Sequence, residues 1–203
     1  MTDKTPVFDK IRKDYLNQVA LIENKKEISV SLGITVTNDG YKIPFFNRTY
    51  TITTDRIIDA DGKTVSHAIA VILCKYLLLC PNLPSSDSSL VTYKDFKDAN
   101  PYVGGFRNTV EDPIAGYFEH GLPQLEKRCL DLGGYPFVSE VSCQLAFKFQ
   151  ALPTVPIILL FNDTDEDFPA QATLLFQKNA YSYLDMECLA MIGAALAYRL
   201  QGK

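Results

Sequence analysis

The sequence predicts an α+β fold: a single domain in which a largely antiparallel or mixed sheet packs against three to four helices. Strand-like runs occur in adjacent groups, whereas a doubly wound nucleotide-binding fold would alternate strands with helices. Helical periodicity marks both ends of the chain. Hydrophobic residues make up 47% of the 203 residues, which is enough for one sizeable core.

The N-terminal part is predicted to form a helix followed by an antiparallel meander. Within residues 1–25, apolar side chains recur at three- and four-residue spacing, and Thr5 followed by Pro6 is typical of a helix start. Residues 27–37 alternate between apolar and polar side chains, which favours a half-buried strand. A tight turn at residues 38–40 then leads into the meander.

The middle of the chain is predicted to contain a buried helix and a surface loop. The helix starts at Thr64 or Ser66 and ends near Cys80, where prolines stop it. The Pro- and Ser-rich residues 81–90 form the loop, which we interpret as a connection within one domain.

A second helical region follows this loop. One or two helical turns are expected in residues 94–100, and the glycines of residues 101–108 predict a loop. A helix then begins at Asp112, is interrupted near Gly121, and ends at Gly133.

Five runs along the chain are β-prone, and the last third closes with a helix. The runs are residues 41–46, 48–53, 137–149, 154–161 and 171–177. Residues 154–161 are almost entirely apolar, which predicts a central strand covered on both faces. Residues 184–200 are rich in Ala and Leu and predict the closing helix.

The composition disfavours nucleic-acid binding and membrane spanning. The formal net charge is −4 and the pI is near 5.2, so the surface repels phosphate backbones. The most apolar stretch, residues 65–80, is too short to cross a bilayer. Residues 1–13 lack the apolar segment of a secretory signal, and five cysteines are scattered singly. We therefore expect a soluble cytoplasmic protein.

An acidic loop after the central strand is the clearest polar cluster. Carboxylates at alternate positions, Asp163, Asp165 and Asp167, can converge on a hard divalent cation. The pattern is not an EF-hand, because Phe168 and Leu174 stand where that loop needs Gly and Glu. The alternative is a solvated acidic turn.

A glycine pair followed by an arginine forms the second candidate cluster. Gly104 and Gly105 allow a ligand to approach the backbone closely, and Arg107 can pair with a carboxylate or phosphate. The alternative is a turn with positive φ, in which Arg107 pairs with a structural carboxylate. The candidate ligand-binding residues are Gly104, Gly105, Arg107, Asp165, Glu166 and Asp167.

No catalytic set is recognisable, and no motif implies a cofactor. His67 and His120 are the only histidines, and nothing in the sequence places them together. Cys129 follows Lys127 and Arg128 and is therefore the best candidate for a reactive thiol, against the alternative of an inert one. No C-x-x-C spacing typical of zinc or iron–sulfur sites is present.

The last third of the chain resembles the prokaryotic domain-of-unknown-function family 3786. The segments that carry the resemblance are residues 151–153, the strand of residues 156–161, and residues 165–170, 174–176 and 183–187. The resemblance implies an accessory role in the metabolism of anaerobic bacteria and archaea. Some members carry an iron–sulfur segment that this chain lacks, so any redox centre would belong to a partner protein.

Three functions are therefore considered. The first is a ligand-binding or accessory protein, with its site between Arg107 and the loop of residues 163–169. The second is a small enzyme that uses the acidic loop, with or without a divalent metal. The third is a homo-oligomeric interaction protein. In it, one face of the last helix packs on a second copy through Leu184, Leu189, Ile192, Leu196 and Leu200.

Overall fold

Two antiparallel sheets form the framework of the chain, which the computed structural model describes over residues 6–202. The strands are β1 (Thr35–Thr37), β2 (Gly40–Phe45), β3 (Arg48–Thr53), β4 (Ile57–Ile58), β5 (Leu90–Thr92), β6 (Tyr135–Pro136), β7 (Leu145–Leu152), β8 (Val155–Asn162) and β9 (Gln171–Gln177). Their order is β1-β2-β3-β4 in the first sheet and β5-β9-β8-β7-β6 in the second. The predicted α+β class is confirmed.

Helical segments pack around both sheets. The α-helices are α1 (Pro6–Ala20), α2 (Lys25–Leu32), α3 (His67–Leu78), α4 (Val103–Phe106), α5 (Asp112–Tyr117), α6 (Leu122–Asp131) and α7 (Met186–Leu200). The remaining helical turns are the 3-10 segments Tyr93–Asp95, Asn100–Tyr102 and Lys178–Ser182 and the π-helical segment Arg107–Glu111. Thr5, the predicted first cap, lies outside the described residues. Over residues 6–202, none of these helices has the length and apolar character needed to cross a membrane.

Three predicted elements of the second sheet and its helices are confirmed. The run of residues 154–161 is β8, the middle strand of its sheet, and its side chains from Val155 to Phe161 are buried. The run of residues 171–177 is β9. Ser66 caps α3, because its hydroxyl accepts a hydrogen bond from the backbone N–H of Ile69.

The strand predicted for residues 27–37 is wrong over most of its length. The segment forms α2, and only its last three residues form β1. Ile28 and Leu32 are four residues apart and both buried, while Val30 between them is 78% exposed. Gly33, at φ 66°, ends the helix in the left-handed conformation that glycine favours. The alternating apolar residues therefore included the buried face of a short helix, and Gly33 ends that helix.

The loop predicted for residues 101–108 is also wrong. The chain is helical from Asn100 to Tyr117, and neither Gly104 nor Gly105 has positive φ. The apolar side chains that point into the core recur at four-residue spacing: Phe106, Val110 and Ile114. The two adjacent glycines made this helical periodicity hard to recognise in the sequence. The helix is stabilised because these apolar side chains pack against α7 and β9.

The strand predicted for residues 137–149 starts later than expected. Regular pairing in β7 begins at Leu145, and only the short β6 precedes it. Val138 is 94% exposed and Val141 is 62% exposed, so the apolar residues of the preceding segment do not contribute to the core. Without burial on one face, an alternating pattern does not stabilise a strand.

Tyr76 of α3 joins the two halves of the chain in the interior. Its side chain is fully buried, and its hydroxyl donates to the carbonyl of Leu32 at 2.8 Å. The same oxygen lies 2.7 Å from the hydroxyl of Thr154 and 3.3 Å from the Thr154 backbone N–H, which donates to it. One phenol therefore holds the end of α2 and the turn between β7 and β8 against α3.

A second junction links the sheets directly. The two-residue turn between β2 and β3 places Phe46 at φ 54°, a conformation that a bulky residue rarely adopts. The backbone N–H of Phe46 donates to the carbonyl of Ala151 in β7 at 2.8 Å. This hydrogen bond and the packing of the Phe46 ring near Phe149 hold the unfavourable backbone geometry.

We expect Tyr76→Phe to lower the free energy of unfolding by about 1–3 kcal/mol, because it leaves buried polar groups of Leu32 and Thr154 without a partner. Urea unfolding followed by circular dichroism measures the change. Tyr181→Phe is the control, since Tyr181 is 54% exposed and its substitution should alter stability by less than about 0.5 kcal/mol. Equal effects of the two variants would contradict the role given to Tyr76.

A glycine substitution tests the helical conformation of residues 101–108. A Cβ on Gly104 meets open space, so Gly104→Ala should raise the free energy of unfolding by up to about 1 kcal/mol. Gly33→Ala should lower it, because φ is positive there and the new Cβ would lie 3.1 Å from the Cβ of Pro153. Destabilisation by Gly104→Ala would instead indicate the positive-φ loop.

Candidate functional site

A groove of about 760 Å³ runs between the helical region after β5 and the start of β9. It is bounded by three segments, residues 92–94, 103–119 and 169–173, and we call it the Glu111 groove. Its volume lies within the range typical of small-molecule sites. The groove therefore brings Arg107 to Pro169, the last residue of the loop of residues 163–169, whereas the acidic side chains of that loop do not line it.

The groove exists because β5 is shorter than its neighbour. Its last residue, Thr92, pairs with Leu175 of β9, so the earlier part of β9 has no strand on that side. The carboxylate of Glu111 takes the place of the missing strand, since its Oε1 accepts a hydrogen bond from the N–H of Leu174 at 3.1 Å. A helical side chain thus completes a sheet edge.

A π-helical turn positions this carboxylate. Residues Arg107–Glu111 form the π segment between α4 and α5, and Val110 within it is fully buried. A π turn holds more residues than an α turn and rotates the side chains that follow it, and such turns are frequent at functional sites. Here Val110 lies in the core while Glu111 lies against β9.

Burial changes the acidity of Glu111. Desolvation raises the pKa of its carboxyl above the ordinary value and the charge of Asp112 adds to this, whereas the hydrogen bond from Leu174 and the charges of Arg107 and Lys94 act in the opposite direction. The raised pKa indicates a group that takes up and releases protons closer to neutral pH than an exposed glutamate does.

Arg107 lies on the rim of the groove. Its Nε donates to the Oδ1 of Asp112 at 3.3 Å, and 73% of its side chain is exposed. The pairing matches the alternative in which Arg107 meets a carboxylate, but a pair this exposed contributes little to stability and leaves the guanidinium free to contact a ligand. Gly104 and Gly105 lie on α4, one turn earlier and outside the groove lining.

The acidic loop lies beside the groove and uses its carboxylates as backbone caps. Oδ1 of Asp165 accepts hydrogen bonds from the N–H groups of Asp167 at 2.9 Å and Phe168 at 2.7 Å. Asp165, Glu166 and Asp167 are exposed, and the groove lining begins two residues further on, at Pro169. Over residues 6–202, no group of three or more His, Cys, Asp or Glu side chains is arranged to hold a metal ion.

Asp163 contacts a residue that the sequence did not connect with it. Its Oδ1 accepts a hydrogen bond from the backbone N–H of His120 at 2.7 Å, and His120 has φ 59°. The contact ties the turn between α5 and α6 to the end of β8. His67, by contrast, lies at the start of α3 and stacks on Phe8, with ring centroids 4.3 Å apart.

Of the two interpretations of Cys129, the structure favours the inert thiol. Its side chain is fully buried on α6, and desolvation raises the pKa of the thiol to about 12. The charge of Glu126 raises the pKa of the thiol further. The thiol is therefore protonated and inert at neutral pH.

Together these features define an α+β protein of two antiparallel sheets that carries a charged groove of small-molecule size. The chain belongs to the family described as Domain of unknown function (DUF3786), whose model matches residues 24–199. The resemblance seen in the last third of the sequence is thereby confirmed. Searches among curated proteins and among solved structures find no significant match to this chain.

We expect Glu111→Gln to stabilise the protein in a pH-dependent way. Because the folded pKa is raised, the folded state binds more protons than the unfolded state between the two pKa values, and stability falls as pH rises through that interval. The gain from Glu111→Gln should therefore be present near pH 8 and shrink toward about pH 4, the ordinary pKa of glutamate.

Thermal unfolding across this pH range measures the effect. Glu166→Gln, which removes an exposed carboxylate from the acidic loop, is the matched control for the lost charge. Glu111→Ala should instead destabilise by about 1–3 kcal/mol, because the buried N–H of Leu174 loses its acceptor. A gain from Glu111→Gln that does not vary with pH would contradict the desolvation of Glu111.

Proposed function

We propose that this protein binds a small polar molecule in the Glu111 groove and is not primarily a catalyst. One observation supports this proposal above the others: a half-buried carboxylate lines a groove of about 760 Å³ while occupying an incomplete sheet edge. A buried charge is costly unless it is paired, and one oxygen of Glu111 has a single backbone donor as its partner. A ligand donor would complete the pairing.

The lining of the groove favours a zwitterionic ligand of the amino-acid type. Glu111 can accept from an amine, while Lys94 and Arg107 supply positive charge for an acidic group. Phe106 and Ala115 contribute an apolar wall that suits a short aliphatic segment. Because the groove carries side chains of both charges, it should bind a zwitterion more tightly than a simple cation or a simple anion.

The same proposal includes the accessory role that the family resemblance implies. The five cysteines form no disulfide bond. The three buried ones lie on three different helices: Cys74, Cys129 and Cys188. Any iron–sulfur chemistry of an anaerobic pathway would therefore reside on a redox partner protein, with this chain supplying the bound molecule or sensing it.

A small enzyme is the second candidate, and one observation favours it. The raised pKa of Glu111 suits a general acid or base facing a ligand. The version in which Asp163, Asp165 and Asp167 bind a divalent metal stays a prediction. Elemental analysis of protein purified without chelator, together with thermal shifts in Mg²⁺, Ca²⁺ and Mn²⁺, tests it, and absence of both metal and shift would remove it.

The apolar residues that were assigned to an interface with a second copy are not available on the surface. All five apolar residues assigned to a second copy are buried within the chain's own core, each at 1% exposure or less. They pack against α3, α6 and the π-helical segment rather than facing solvent. An interface between copies, if it forms, must use another face.

A ligand screen tests the proposed function. We expect one or more amino acids or related zwitterions to raise the unfolding temperature of the wild type, since a ligand at 100 times its Kd stabilises by about 2.7 kcal/mol. Arg107→Ala should weaken that ligand by about tenfold without unfolding the protein, because Arg107 is exposed. Calorimetric titration measures both affinities.

Arg56→Ala is the matched control, because Arg56 is also exposed, also pairs with a neighbouring aspartate, and lies outside the groove. Its ligand affinity should equal that of the wild type. A screen in which no zwitterion stabilises the wild type, or a ligand that Arg107→Ala and Glu111→Gln both bind unchanged, would refute the Glu111 groove as the site.

A further inference from the structure

A second cavity, of about 720 Å³, lies on another part of the molecule. It is enclosed by the turn between β2 and β3, the first turns of α3, the end of α6 and one face of α7. We call it the Arg199 pocket, after the residue of α7 that lines it together with Arg48 and Tyr50 of β3. It shares no lining residue with the Glu111 groove.

The guanidinium of Arg199 is held in place without a carboxylate partner. Its carbon lies 4.9 Å from the ring centroids of both Phe45 and Phe46. Nη2 lies 3.0 Å from the hydroxyl of Tyr50, and Nη1 lies 3.4 Å from the carbonyl of Phe45. Over residues 6–202, no carboxylate oxygen lies within 4.0 Å of Arg199 or of Arg48.

Further positive charge converges on the same space. Burial lowers the pKa of Arg199, and the nearby charge of Arg48 lowers it while the contacts with Tyr50 raise it. Ser66 and Ala68 place the N-terminal end of α3, which is the positive end of its helix dipole, at the pocket.

Little negative charge balances this arrangement. Asp131 is the carboxylate that lines the pocket, and its Oδ2 is already engaged by Lys127 at 2.7 Å. Arg199 lies in the last turn of α7, where the helix dipole partly compensates its charge. Two arginines and a helix N-terminus therefore line a cavity that has one carboxylate, Asp131, which pairs with Lys127.

Apart from Asn47 and Tyr198, most of the rest of the lining is apolar. The side chains that form this wall come from α3, the end of α6 and α7: Ile69, Ile72, Leu132, Met191, Ala194 and Ala195. An inorganic ion would leave this wall in contact with water, whereas a ligand with a hydrocarbon or aromatic body would cover it. The pocket thus combines positively charged groups with an apolar wall.

We propose that the Arg199 pocket binds a small organic carboxylate with an apolar body. The planar carboxylate matches the planar N–H donors of a guanidinium, which pairs with it in bidentate fashion. The apolar body lies against α3 and α7. The hydrogen bond from Phe46 to Ala151 and the two phenyl rings hold Arg199 in position before the ligand arrives, so little ordering accompanies binding.

Three probes with one body and different head groups test the proposal by calorimetric titration: phenylbutyrate, phenylbutanol and phenylbutylamine. Inorganic phosphate is the fourth probe. We expect the wild type to bind phenylbutyrate at millimolar concentration or below, and to bind the alcohol at least tenfold more weakly. The amine and inorganic phosphate should show no saturable binding.

Variants identify the site. Arg199→Met keeps the length of the stem and should weaken phenylbutyrate binding at least tenfold. Because Arg199 also packs against the rings of Phe45 and Phe46, Arg48→Gln provides a second test at an exposed position and should weaken binding several-fold with the fold intact. Arg56→Gln, at an exposed arginine outside the pocket, should bind as the wild type does.

Four results would overturn the proposal. The first is absence of saturable phenylbutyrate binding to the wild type, and the second is equal affinity for phenylbutanol. The third is tighter binding of inorganic phosphate, which would make the pocket a phosphate site. The fourth is unchanged phenylbutyrate affinity in both Arg48→Gln and a folded Arg199→Met.

Discussion

The buried hydroxyl of Tyr76 is the interaction on which the relative position of the two halves depends. It forms hydrogen bonds both with the Leu32 carbonyl at the end of α2 and with the Thr154 groups between β7 and β8. A shift of α3 would therefore break contacts on both sides. A buried polar group left without a partner costs about 1–3 kcal/mol, a large part of the net stability of a domain. Gly33 adds to this junction by allowing α2 to end against Pro153.

The junction at Phe46 contacts the same end of β7, close to the turn that Tyr76 holds, and both cavities depend on the frame that the two junctions make. Phe46 connects the first sheet to β7 and also presents its ring to Arg199. The helical region that carries Glu111 packs on α7, and a side chain at Gly193 would collide with Phe106 at 2.7 Å. Helix α7 therefore contributes to both sites, through Arg199 on one face and through its contact with Phe106 on another.

The elements that the sequence predicted well are those whose burial is decided locally. The strand β8 is so apolar that its side chains must be buried in the core. The start of α3 was predictable because Ser66 is a residue type favoured as a helix N-cap. The errors at residues 27–37 and 101–108 arose where glycine admits two interpretations, since Gly33 stops a helix and Gly104 continues one.

The candidate sites were predicted only in part, for a physical reason. Arg107 and the loop of residues 163–169 were expected to form one site, but only Pro169 of that loop lines the groove with Arg107. Glu111 was missed because its partner Leu174 is 63 residues away and the π turn that aims it has no local signature. Arg199 was missed because the absence of a carboxylate partner is a property of the folded surroundings and not of neighbouring residues.

The hydrogen bond from Leu174 to Glu111 also bears on how the protein avoids aggregating. An exposed strand edge invites pairing with the edge of another molecule, and a charged side chain lying across that edge is one of the ways proteins prevent it. Glu111 takes the donor that an incoming strand would need and opposes its approach with a desolvated charge. The residue that we propose contacts a small molecule thus also opposes pairing of the same edge with a second polypeptide.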